Sequence, residues 1–174
     1  YRQKRVVGSF ARSKGWTYLP RDQTLQGRWQ GPPFRQDVSD QAYTHVIRGT
    51  DHGHEFVGFE GVYENHNVTI LVTQLPASAP TVEVRPVGIN TAFHSGQSVQ
   101  MESVDFNQRF RVYADIPKTA SDVLTPLVMT ALLQGPKVSW RTSGWELIAW
   151  WSGGMSPVKF LAAQATLRHV VEGM

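Results

Sequence analysis

Cysteine is absent from all 174 residues, which excludes disulfides, thiolate zinc sites and cysteine nucleophiles, and fits a reducing compartment. Charge is also sparse, at 18% Asp, Glu, Lys and Arg. No run of 18 apolar residues occurs, and no signal peptide is visible; the richest apolar window, Trp145 to Trp151, is short and contains Glu146. The spacings that carry chemistry are missing too. There is no Gly-x-Ser-x-Gly, no glycine-rich phosphate loop and no internal repeat. His52 and His54 flank Gly53 beside Asp51 and Glu55, but two turn histidines lack a third and fourth ligand at a known spacing. Glu55, Glu60 and Glu64 read as solvent-facing, and His45, His66, His94 and His169 are scattered. An enzymatic reading would have to rest on Glu102, Asp105 and His94. We therefore expect no catalytic residue, no metal and no cofactor.

What is present points to a globular chain. Hydrophobic residues make up 41% and aromatics 11%, enough for one substantial core, and a single domain spanning 1–174 is expected. The net charge of +3 is unevenly placed: residues 1–35 hold eight Lys/Arg against Asp22 alone, leaving the remainder mildly acidic. A basic front of this kind suits an anionic surface or a solvated helix face. Arg2, Lys4, Arg5, Arg12 and Lys14 are the candidate surface-binding residues, with Trp150 as an aromatic candidate because amphipathic rings favour interfaces. Trp16, Tyr18 and Trp29 interleave with the basic residues, but no DNA- or RNA-binding motif accompanies them, which argues against nucleic acid. The opening Tyr-Arg-Gln-Lys-Arg is aromatic-then-basic, the pattern with which a transmembrane helix leaves the bilayer on its cytoplasmic side, so a tether upstream of Tyr1 is expected.

Periodicity gives the elements. Val6, Val7, Phe10 and Ala11 recur at helical spacing, predicting an amphipathic helix over 3–14 that Gly15 stops. Trp16, Tyr18, Leu19, Leu25 and Trp29 read as core anchors, followed by a loop through Gly31-Pro32-Pro33 to Gln41. Period two then predicts strands at 44–50, 55–63, 68–75, 81–87, 99–104 and 109–114, with Pro76 to Pro80 as a break and 88–98 as the best candidate for a mobile loop. A helix is predicted over 119–134, capped by Thr119 or alternatively by Thr125 ahead of Pro126. A hairpin follows, 138–142 and 145–151 about Ser143-Gly144, and then a helix over 156–172 that starts at Ser156-Pro157. The fold class read from this is α+β, a largely antiparallel sheet of about six to eight strands with three packing helices.

The most specific stretch runs from Glu102-Ser103 through Phe106, Phe110, Val112 and Ala114 to Leu124-Thr125-Pro126 and an apolar helix. It resembles an uncharacterised bacterial family, frequent in membrane-associated proteins of actinobacteria, whose members share Glu-Ser-x-x-Phe, Phe-x-Val, Ala and Leu-Thr-Pro. Each of these residues also has a structural use, so the motif is expected to encode fold. The resemblance implies a non-enzymatic cytoplasmic domain of a membrane-anchored bacterial protein, acting as scaffold or regulator through a protein partner. The alternative is a domain that binds anionic lipid headgroups or a small ligand.

Overall fold

The computed structural model describes residues 1–34, 43–89 and 96–174. Arg35, the 36–41 part of the expected loop, and His94 with most of the expected 88–98 loop lie outside the described residues. Two compact units are distinguished, Tyr1–Thr73 with Trp150–Phe160, and Gln74–Ala149 with Leu161–Met174. The fold is α+β with a seven-stranded, largely antiparallel sheet.

The first unit opens with helix α1 (Arg2–Ser13). Val7, Gly8 and Ala11 form its buried stripe. Its end is a Schellman motif: Gly15 at φ 73° donates to the Arg12 carbonyl at 3.0 Å, and Trp16 donates to the Ala11 carbonyl at 2.9 Å. Strand β1 (Thr17–Asp22) follows, where the sequence offered only short signals, and pairs antiparallel with β2 (Tyr43–Asp51). β2 pairs with β3 (His54–Tyr63) through the expected turn at His52-Gly53, and β3 with the first part of β4 (His66–Pro86). Three glycines decide how this sheet packs. A Cβ on Gly49 would stand 2.1 Å from the Trp16 ring, one on Gly58 2.5 Å from Phe160, and one on Gly61 3.2 Å from Tyr43. Aromatic rings occupy the space that side chains would have filled.

The 76–80 segment does not break the sheet. β4 is a single strand of 21 residues. The register with β3 ends at Thr73 and that with β6 (Phe110–Ala114) begins at Val82. Pro76 and Pro80 fall in the interval where neither register uses their missing amide N–H, so the prolines are tolerated.

In the second unit, β6 lies between β4 and the short β5 (Gln97–Val99). The predicted strand over 99–104 is thus mostly wrong, because residues 104–109 form helix α2 (Val104–Arg109). Ser103 is its N-cap and accepts from the Phe106 amide at 3.2 Å. The Glu-Ser-x-x-Phe motif is therefore a cap followed by a buried aromatic at the third helical position. The expected 119–134 helix is divided. α3 (Ala120–Val123) ends at Leu124, and α4 (Pro126–Gln134) begins afresh with Thr125 as cap, its Oγ1 accepting from the Val128 amide at 3.3 Å. Pro126 enforces the restart, since the residue before a proline is driven out of helical geometry.

The predicted hairpin at Ser143-Gly144 is also absent. β7 (Ser139–Ser152) is one strand paired with β4. Gly144 takes a positive φ of 59° within the strand without ending it. α5 (Pro157–Glu172) closes the chain as expected, with Ser156 Oγ facing the Lys159 amide at 3.5 Å.

Candidate functional site

Within the first unit, one carboxylate gathers more polar partners than any local pattern suggested. Glu60, expected to face solvent, is only 16% exposed in its side chain. Its Oε1 accepts from Gln3 Nε2 of α1 at 2.7 Å and, by a short hydrogen bond, from the Met155 amide just before α5. Its Oε2 stands 3.8 Å from His45 Nε2, and His45 Nδ1 is 2.9 Å from the Tyr18 hydroxyl. A carboxylate, an imidazole and a phenol are thus lined up across β3, β2 and β1. Gly154 permits the arrangement, since a Cβ there would stand 2.9 Å from Glu60 Oε1. Burial first, and the Glu60 charge second, push the Tyr18 phenol above its ordinary value, so it remains a neutral hydroxyl.

His45 is held in the left-handed region at φ 51°, at the irregularity between Thr44 and Ile47 where the β2–β3 register shifts. That conformation is uncommon for a residue with a Cβ, and its cost is met only where surroundings over-determine it. Sequence reading scattered His45 among six histidines because the three partners lie 27 and 15 residues apart. Nothing local links them.

The basic candidates form a different feature. Arg2, Lys4, Arg5, Arg12 and Lys14 are all exposed on or next to α1, a helix without an acidic residue. Among the described residues Arg2, Lys4, Arg5 and Lys14 have no ion-pair partner, and Arg12 reaches only Ser9 Oγ at 3.4 Å. Arg2, Arg5 and Ser9 share the helix side opposite the buried stripe, while the Arg12 guanidinium lies beside Gly8. Trp150 does not join a surface. It is 5% exposed, and the neighbouring Trp151 is buried as well, although successive strand residues point to opposite faces. Trp145, 59% exposed, is the tryptophan most open to solvent.

Glu102 and Asp105 are exposed and remain apart from any convergent cluster in the described residues. His52 Nδ1 lies 3.0 Å from Asp51 Oδ1, and no group of three or more His, Asp or Glu suited to a metal occurs among the described residues.

The second unit buries a charged cluster on one face of β4. Val82 and Val84 face one way; Glu83 and Arg85 face the other, with Arg85 Nε 3.3 Å from Glu83 Oε2 and both side chains buried. Arg141 of β7 adjoins them. Burial pulls its guanidinium below the ordinary value, opposed by the charges of Glu83 and Glu146.

Residues 63–138 match the family described as "Protein of unknown function (DUF3137)". The match runs from the end of β3 through all of β4 to just past α4, and includes the stretch whose caps and buried aromatics are set out above. No curated protein matches the chain. Among solved structures the chain is similar to the mycobacterial trehalose monomycolate transport factor A, TtfA, with a TM-score of 0.74 at 16% identity, covering 98% of this chain and 93% of that one. Such a likeness establishes a shared fold. It runs nearly end to end in both chains.

Proposed function

We propose that this domain is a non-enzymatic component working on the cytoplasmic side of a bacterial membrane, where it acts as a scaffold or regulator through protein contacts in envelope lipid transport. The observation that carries the reading is the end-to-end fold likeness to a trehalose monomycolate transport factor. No helix among the described residues is long and apolar enough to cross a membrane, so attachment in this reading depends on a tether or a surface contact. Proximity labelling in the native bacterium tests it. Membrane proteins of lipid transport should be enriched over soluble proteins relative to a freely diffusing labelling enzyme; an identical pattern for both would sink the proposal.

A second reading is favoured by α1. Its arginines on the outward side lack carboxylate partners, which is the arrangement that an anionic leaflet attracts, at about 1 kcal/mol per basic residue near the surface. In this reading the contact accompanies the scaffold role and orients the domain. Sedimentation with vesicles of mixed neutral and anionic phospholipid should weaken sharply as salt is raised, because the attraction decays over about 10 Å at 0.1 M ionic strength. Sedimentation unchanged in an Arg2/Arg5/Arg12→Gln variant would reject α1 as the contact.

A further inference from the structure

We propose that Glu60, His45 and Tyr18 form a proton-operated latch that controls how the first turn of α1 and the segment entering α5 are held on the sheet. The inference concerns the first unit alone and is independent of the membrane reading. With His45 neutral, the Tyr18 hydroxyl donates to Nδ1 at 2.9 Å, which places the ring hydrogen on Nε2, facing Glu60 Oε2 at 3.8 Å. Oε1 is then free to accept from Gln3 and Met155.

A second proton on the ring reverses the relay. Nδ1 becomes a donor, so Tyr18 can only accept there and must turn its own hydrogen elsewhere. Nε2–H now carries full positive charge opposite the carboxylate. A contact of 3.8 Å is too long for a hydrogen bond, and a charged pair prefers about 2.8 Å, so the carboxylate is drawn roughly 1 Å toward the imidazolium. That movement takes Oε1 away from Gln3 and Met155, which belong to separate elements, α1 and the segment entering α5. Protonation of His45 thereby opens the latch.

The surroundings contain few competing charges. Tyr18 faces His45 from β1 and Glu60 faces it from β3, while the segment before α5 offers only the Met155 amide. From α1 come the neutral Gln3 amide and Arg12, whose Nη1 and the Tyr18 ring both lie 3.3 Å from where a Cβ on Gly8 would stand. The left-handed backbone of His45 supplies independent support. A strained residue at a register shift is retained where its side chain must be aimed, and here the aim is along the relay.

Nuclear magnetic resonance of the intact chain from pH 5 to 8 tests the latch. The Gln3 side-chain amide and the Met155 backbone amide should titrate with the same midpoint as the His45 ring, moving toward free-amide positions on the acid side. His45→Gln should abolish those transitions. In Glu60→Gln the His45 ring should still titrate while Gln3 and Met155 no longer follow it. Gln3 and Met155 signals that stay still while His45 titrates, or that titrate unchanged in His45→Gln, would overturn the proposal. If Glu60→Gln fails to fold, the parent and His45→Gln spectra decide it alone.

Discussion

Gly58→Ala should destabilise the first unit through one identifiable collision. The new Cβ would stand 2.5 Å from Phe160 Cε2 and 2.7 Å from Cζ, whereas ordinary carbon contacts lie at about 3.5–4.0 Å. The ring must move by roughly 1 Å, and it has little freedom to do so. Phe160 is fully buried, with Phe56 and Trp151 at ring-centroid separations of 5.9 and 6.1 Å and Phe10 and Trp16 at 6.3 Å. Overpacking of a tight core costs about 1–3 kcal/mol, and the upper part of that range applies when every direction is blocked. Replacing a strand glycine by alanine returns about 0.5–1 kcal/mol, for a net loss of about 2 kcal/mol. In a chain of this length that lowers the melting temperature by about 4–8 °C. Leucine at 160 lacks the colliding atoms, so Gly58→Ala made in a Phe160→Leu background should cost at least about 1 kcal/mol less than in the parent, a coupling expected of touching residues. Urea unfolding followed by tryptophan fluorescence measures the cycle. A neutral Gly58→Ala, or additive effects in the double variant, would refute the packing argument.

Ser103→Ala should cost about 1 kcal/mol by removing the cap on the Phe106 amide, whereas Phe110→Ala should cost about 3–5 kcal/mol by emptying a core position; equal losses would count against the separation of the two roles. Glu83→Gln should destabilise by about 3–5 kcal/mol because it leaves Arg85 charged and buried, and Arg85→Met in that background should recover part of the loss. Asp22 is held below the usual carboxylate range chiefly by the Thr24 hydroxyl and amide and by Arg48, despite some desolvation. Its stabilising contribution is therefore complete above the ordinary carboxylate range and lost as pH falls through the depressed value. Asp22→Asn should lower the melting temperature at pH 7 and narrow the difference from the parent toward pH 2; a gap that widens in acid would contradict the assigned sign.

Local chemistry determined much of this protein. The hydrophobic spacing of Val7, Phe10 and Ala11 made α1, and Gly15, with no Cβ to clash at positive φ, ended it; Thr125-Pro126 and Ser156-Pro157 started α4 and α5 through a hydroxyl acceptor and a ring that needs no amide. Period-two alternation placed β2, β3 and β6 because residues on one strand face share one environment. The same alternation in β4 carried Glu83 and Arg85 to one side, though not the fact of their burial. Only tertiary structure made β4 and β7 continuous, since whether Pro76, Pro80 and Gly144 interrupt a strand depends on which neighbour requires their amides. It likewise turned Gly49, Gly58 and Gly61 from weak strand residues into seats for Trp16, Phe160 and Tyr43, and withdrew Trp150 from the surface. The line from Tyr18 through His45 to Glu60 was beyond the sequence for the same reason. A hydrogen bond acts over about 3 Å, and Tyr18 and His45, 27 positions apart, reach that distance, with Glu60 3.8 Å from the far side of the ring, only after three strands have paired and His45 has taken a left-handed conformation.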